Sequence, residues 1–166
     1  MSEIITIRLE QRLSEQLRAA IEGAEDLTPA MDDISERLLE STRRRFDTES
    51  GVSGVPWKKS RRAIEDGGKT LQDSGRLYRA LDRRSGPTFA EVGVRAGGPP
   101  EIYAAIHQFG GTIRPRHKKA LSFAGRVVAQ VVMPARPYLG FDPEDREDIV
   151  EVLTAHLRRS FDEAAA

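Results

Sequence analysis

Apolar positions along this chain recur with two spacings, and they predict different elements. Residues 4–9 (IITIRL) alternate: Ile5, Ile7 and Leu9 fall on one side and Thr6 and Arg8 on the other, as in a short half-buried strand. Leu13, Leu17, Ile21 and Ala24 then recur at helical spacing through QRLSEQLRAAIEGAED, an amphipathic helix ending near Gly23 or Asp26. Thr28-Pro29 opens a second helix, with Thr28 as N-cap, Pro29 in the first turn, and Asp32 and Asp33 placed to complement the helix dipole. Its stripe is Met31, Ile34, Leu38, Thr42 and Phe46, and it is predicted over residues 29–48.

Residues 50–69 carry four glycines and few core positions, which predicts a long, mobile loop around Trp57. Helical spacing resumes over residues 70–83 through Leu71, Leu77, Tyr78 and Leu81, with Asp73 or Ser74 capping its second part, and Ser85-Gly86-Pro87 breaks it. Residues 88–95 alternate as a strand, residues 96–100 turn, and IYAAIHQFG is short and helical or turn-like. A basic loop follows over 112–119; with the preceding glycine it forms a second mobile segment, 111–119. ALSF (120–123) and RVVAQVVM (126–133) predict two strands around Ala124-Gly125, ended by Pro134 and Pro137. From Pro143 a closing helix presents Ile149, Val152, Leu153, Leu157 and Phe161 on one face, with acidic residues in its first turns. The expected fold is α+β: long N-terminal helices, a small antiparallel β-sheet and a closing C-terminal helix, in one domain over residues 1–166.

Composition narrows the function. Only 39% of the 166 residues are hydrophobic and 6% aromatic, against 31% charged, so the core is modest and much surface is polar or covered by a partner. There is no cysteine, hence no disulfide framework or cysteine zinc site, and no segment approaches the length of a membrane span. A soluble protein made in a cytoplasm is expected. The formal net charge is zero but segregated. Residues 1–42 hold four Lys/Arg against ten Asp/Glu, residues 43–136 nineteen against eight, and residues 137–166 three against eight. Two acidic ends flanking a basic middle fit docking between copies, or a basic face turned to nucleic acid.

Candidate chemistry is sparse. His107, His117 and His156 belong to no paired metal motif, and no GxSxG or phosphate-binding glycine loop is present. His117 reads as part of the basic loop and His156 as exposed on the terminal helix. His107 reads as a structural turn residue: Tyr103 and Ile106 plug the core, His107 and Gln108 satisfy backbone groups, and Gly110-Gly111 releases the chain into the next loop. No catalytic residue, cofactor or metal site is assigned; a hydrolase built on His107 and a helix carboxylate is the weakest reading. A nucleic-acid reading uses Trp57, Lys58, Lys59, Arg61 and Arg62 with Arg114, Arg116, Lys118 and Lys119, without a sequence-specific frame.

Several phrases then occur in order: SGVSGVPWKK, TLQDSGRLYRAL, VGVR, IYAAIHQFGG, MPARPYLGF and a final acidic helix. This order resembles the phage virion morphogenesis family of Mu G-like tail completion proteins. The matching positions are Gly54 and Trp57; Leu71, Ser74, Gly75 and Leu77; Val92 and Gly93; Tyr103, Ala104, His107, Gln108 and Gly110; and Pro134 through Gly140. The resemblance covers residues 30–161; the 114–119 loop and the 97–100 turn lie outside its pattern.

The resemblance implies a non-enzymatic structural protein of a tailed phage or phage-derived particle, with a tail-terminator or neck-protein fold. It implies a homo-oligomeric ring, commonly a hexamer, where tail tube meets head connector, in the virion and assembled in host cytoplasm. Its partners are then itself, head connector or neck proteins and tail tube proteins, with non-specific contact to DNA in the lumen and no membrane. Trp57 and Tyr138 are expected either as interface anchors or, for Trp57, as a local loop clasp. Arg136, held between Pro134 and Pro137, is expected to meet a carboxylate of its own chain or a neighbour. The alternative function is a non-sequence-specific nucleic-acid-binding accessory protein.

Overall fold

The computed structural model describes residues 6–8, 26–115, 119–123 and 125–164. The amphipathic helix expected over residues 11–26 lies outside them except for Asp26, as do Arg116, His117 and Lys118. The fold class is α+β, as the pattern predicts.

Helix α1 (Thr28–Thr48) is the spine. Its predicted stripe is buried throughout: Met31, Ile34, Leu38, Thr42 and Phe46 all face the core. Its start differs from the expected cap. Leu27 is the N-cap and Thr28 already helical, while the Asp26 carboxylate accepts the Thr28 N–H at 2.9 Å. Asp32 and Asp33 lie beyond the first turn, where the orphan amides are. Asp32 instead accepts from Arg83 (2.6 Å) and Ser85 (2.9 Å), tying the helix to the sheet, and Asp33 pairs with Arg37 (3.3 Å). The helix ends on Glu49 with φ +53°, a conformation that disfavours side chains. The Glu49 carboxylate accepts the Thr70 N–H at 2.6 Å there, a bond that lowers its pKa.

The sheet is three-stranded and antiparallel in the order β1–β3–β2: β1 (Thr6–Arg8), β2 (Leu81–Gly86) and β3 (Phe89–Val94). β3 is central and buried from Ala90 to Val94. α1 lies across β2 and β3 and also meets α5 (Pro143–Ala164), so it is packed between sheet and closing helix. Ile149, Val152, Leu153 and Leu157 of α5 complete the core.

Three expected elements change. The segment 50–69 contains α2 (Arg61–Glu65), whose Ser60 N-cap accepts the Ala63 N–H at 3.2 Å. The helix expected over 70–83 shortens to α3 (Arg76–Arg79), because Leu81 already pairs with Val94 in β2. The Ser85-Gly86-Pro87 break is the hairpin between β2 and β3, with Gly86 facing Phe89. After α4 (Pro99–Phe109), the basic stretch opens with β4 (Gly111–Ile113). β5 (Leu121–Phe123) pairs with β6 (Arg126–Val128), while β7 (Val131–Met133) turns away to pair with β4. The single strand expected over 126–133 is thus split between two ribbons.

Candidate functional site

Two of the motif phrases, IYAAIHQFGG and MPARPYLGF, meet in one buried joint. α4 carries Tyr103 to Gln108, and the extended segment after β7 runs alongside it. Gln108 is the clasp. Its Oε1 accepts the Tyr138 and Leu139 N–H groups, each at 3.0 Å, and its Nε2 donates to the Leu139 carbonyl at 2.8 Å. The Arg136 N–H donates to the His107 carbonyl at 2.7 Å, and the Tyr138 hydroxyl to the Ala104 carbonyl at 3.2 Å. A side-chain amide offers both a donor and an acceptor, so one Gln can satisfy three groups of a non-helical backbone where no strand can reach.

Gly110 makes this approach possible. Its φ is +71° with ψ −177°, and a Cβ there would stand 2.7 Å from the Ala135 nitrogen and 2.9 Å from the Met133 carbonyl. The chain leaves Gly110 directly into β4 rather than into a loop.

Below the joint, Tyr138 is fully buried and meets Phe46 edge-on, centroids 5.3 Å apart; Trp57 meets the other side of Phe46 at 5.5 Å. Both rings are buried within this chain. Trp57 clasps the loop locally: its backbone N–H donates to the Glu49 carbonyl at 2.7 Å, while its indole N–H is buried without a partner among the described residues. Burial also pushes the Tyr138 hydroxyl pKa up.

Arg136 turns to backbone within its own chain. It is buried, and its Nε donates to the Lys58 carbonyl at 2.8 Å; among the described residues no carboxylate pairs with it. The carboxylate-bound arginine is Arg45, which the sequence reading missed. Arg45 lies on α1 with 4% of its surface exposed. It donates to Asp142 (2.9 Å) and Asp145, and to the Tyr138 and Gly140 carbonyls at 3.2 and 2.9 Å. Burial works to raise the Asp142 carboxyl, but the Asp145 N–H and the Arg45 guanidinium outweigh it and hold it below the usual range. The one local hint is that position 45 flanks the apolar stripe, four residues after Ser41.

His107 is half-buried and meets Tyr103 edge-on at 5.9 Å. Its carbonyl takes part in the joint, but its Nδ1 is buried without a partner among the described residues, so Gln108 alone satisfies backbone through its side chain. Burial, and then the Arg136 charge, lower the His107 pKa. His156 Nε2 lies 2.7 Å from the Asp26 carbonyl. Ser74 and Gly75 start α3: Gly75 has φ +68°, and Ser74 accepts from the Arg76 N–H at 3.4 Å. Pro134 and Pro137 are half-buried in the extended segment. Among the described residues no group of three or more His, Asp or Glu is gathered as metal ligands, and no helix is long and apolar enough to cross a membrane.

The two basic segments part company. Lys59 pairs with Glu49 (3.4 Å), Arg61 with Glu65 (2.6 Å) and Arg62 with Asp73 (3.3 Å), so the segment after Trp57 is largely neutralised within the chain. Lys58 is exposed. On the ribbons Arg114 and Lys119 are exposed, and among the described residues Arg114 bonds the neutral Gln130, at 3.2 Å, and no carboxylate.

The motif residues of this α+β scaffold thus clamp backbone to backbone. The chain belongs to the phage virion morphogenesis family, whose model matches residues 8–158. It is 30% identical to tail completion protein S of Escherichia phage P2 over 76% of this chain and 81% of that protein. It is 32% identical to putative capsid assembly protein G of Escherichia phage Mu over 70% of each chain. It is also 30% identical to Mu-like prophage FluMu G protein 2 of Haemophilus influenzae, over 79% of this chain and 88% of that one. No solved structure matches it.

Proposed function

We propose that this chain is a tail completion protein of a tailed phage or prophage-derived particle. It acts as a structural part, without catalysis, in a homo-oligomeric ring at the neck or tail terminus, where head and tail join. The observation that carries this reading is its similarity to the P2 tail completion protein S along most of both chains. The geometry supports it: Gln108, Gly110 and Tyr138 lock two backbone segments together, the use a scaffold makes of polar and aromatic residues.

The ring, a hexamer by the family resemblance, lies in the virion between a head connector and a tail tube, after assembly in the host cytoplasm. Its exposed cations, Lys58, Arg114 and Lys119 among them, are interface candidates, with the lumen near the genome. The test is disruption of the gene in its source phage or prophage, with electron microscopy of the induced lysate. Filled heads beside separate or abnormally long tails are expected. Normal, joined, infectious particles would overturn the reading.

A further inference from the structure

We propose that one copy docks its basic ribbons onto the acidic outer face of α5 in the next copy. This rests on the homo-oligomeric reading above and supplies its contact.

The ribbons need a partner. β4–β7 and β5–β6 are two-stranded, and a lone pair of strands is marginal in water with unpaired edges on both sides. They expose apolar residues that the core does not use: Val127 is 80% exposed and Val132 68%. Phe109, just before β4, is 70% exposed. Thr112 pairs with Val132 and Ile113 with Val131. The same register carried one step further puts Arg114 beside Gln130, on the face of Val132, and these two side chains are bonded. That face therefore joins an exposed valine to a cation. Arg126, exposed on β6, has no carboxylate partner among the described residues. The charge here is of one sign. From residue 102 to residue 141 the chain has six Lys/Arg and no Asp/Glu.

The complementary surface is on α5. Glu144, Asp145 and Asp148 are engaged by Arg44, Arg45 and Arg37 of α1. Glu147 and Glu151 are exposed and have no ion pair among the described residues. Between them stands Val150, 53% exposed; positions 147, 150 and 151 share one helix face. This valine between two free carboxylates matches the valine and free cations of the ribbons in both polarity and sign. Because the two patches differ, the contact can repeat head-to-tail from copy to copy, which gives a ring where the rotation closes.

The test uses the full chain in sedimentation velocity at low ionic strength. One variant carries Arg114→Glu and Arg126→Glu, a second Glu147→Lys and Glu151→Lys, and a third all four. The positions are exposed, so melting temperatures should stay near that of the parent. Each paired variant alone is expected to be monomeric, while an equimolar mixture of the two, and the fourfold variant, are expected to recover assembly, because in both a reversed ribbon can meet a reversed helix. If the parent assembles and the paired variants assemble equally well, the docking contact is overturned while the ring stands. If the parent is monomeric at every concentration, ring and contact both fall. If in that event it retards duplex DNA, and the ribbon variant does not, the ribbons are a nucleic-acid surface instead.

Discussion

At the scale of single residues, His107 and Gln108 are neighbours with opposite fates. The Gln108 amide bonds three backbone groups, two through its oxygen and one through its nitrogen. The His107 ring is held among Tyr103 and Arg136 with a buried, unpartnered nitrogen, so protonating it would place a second cation near Arg136. Its pKa is lower in the fold than in the unfolded chain, so the unfolded chain binds the proton first as pH falls. The stability penalty therefore begins near the ordinary histidine value of about 6.5 and grows until the folded value is passed. The melting temperature should fall as pH drops through that window, and His107→Phe should flatten this part of the profile. An unchanged slope in the variant would show that the histidine does not titrate across unfolding. The sequence marked the histidine as a motif residue but placed it in a turn, whereas it lies within α4; its unsatisfied nitrogen was not visible there, since that depends on what packs around it.

At the scale of elements, the joint between α4 and the segment after β7 depends on one glycine. Gly110 combines positive φ with backbone atoms where a Cβ would stand, whereas Gly54, at φ +72°, has open space around it. Gly110→Ala is expected to cost about 3 kcal/mol or more, and Gly54→Ala about 1 kcal/mol, the difference being close approach rather than conformation. Urea denaturation of both variants checks this; equal losses would mean that the strands after Gly110 yield to the methyl group. The two glycines look alike in sequence, each inside a motif. Elements themselves were legible where period and length agreed, as in α1 and α5. β2 was not: LDRRSG lacks alternation and follows a helical spacing, and it is a strand because the turn at Pro87-Thr88 folds it onto β3.

At the scale of the whole molecule, Arg45 ties α1 to the Tyr138–Gly140 backbone and the start of α5, one stretch 93 to 100 positions away in sequence. Removing it leaves Asp145 buried without its cation. Arg45→Met is expected to lower stability by about 3–5 kcal/mol, the usual effect of breaking rather than replacing a buried pair. A loss under about 1 kcal/mol in chemical denaturation would place the network with ordinary surface pairs. By itself the sequence determined the helical stripes, the central strand, the α+β class, the segregated charge and the family motifs. These are local or compositional signals that periodicity and order record directly. Only the tertiary structure decided that Trp57 and Tyr138 belong to the core, that Arg45 rather than Arg136 meets carboxylates, and that the basic segment after Trp57 is neutralised while the ribbons are not. Those outcomes turn on which charged groups desolvate together. Groups up to a hundred positions apart settle that by proximity, for which the linear chain carries no periodic trace.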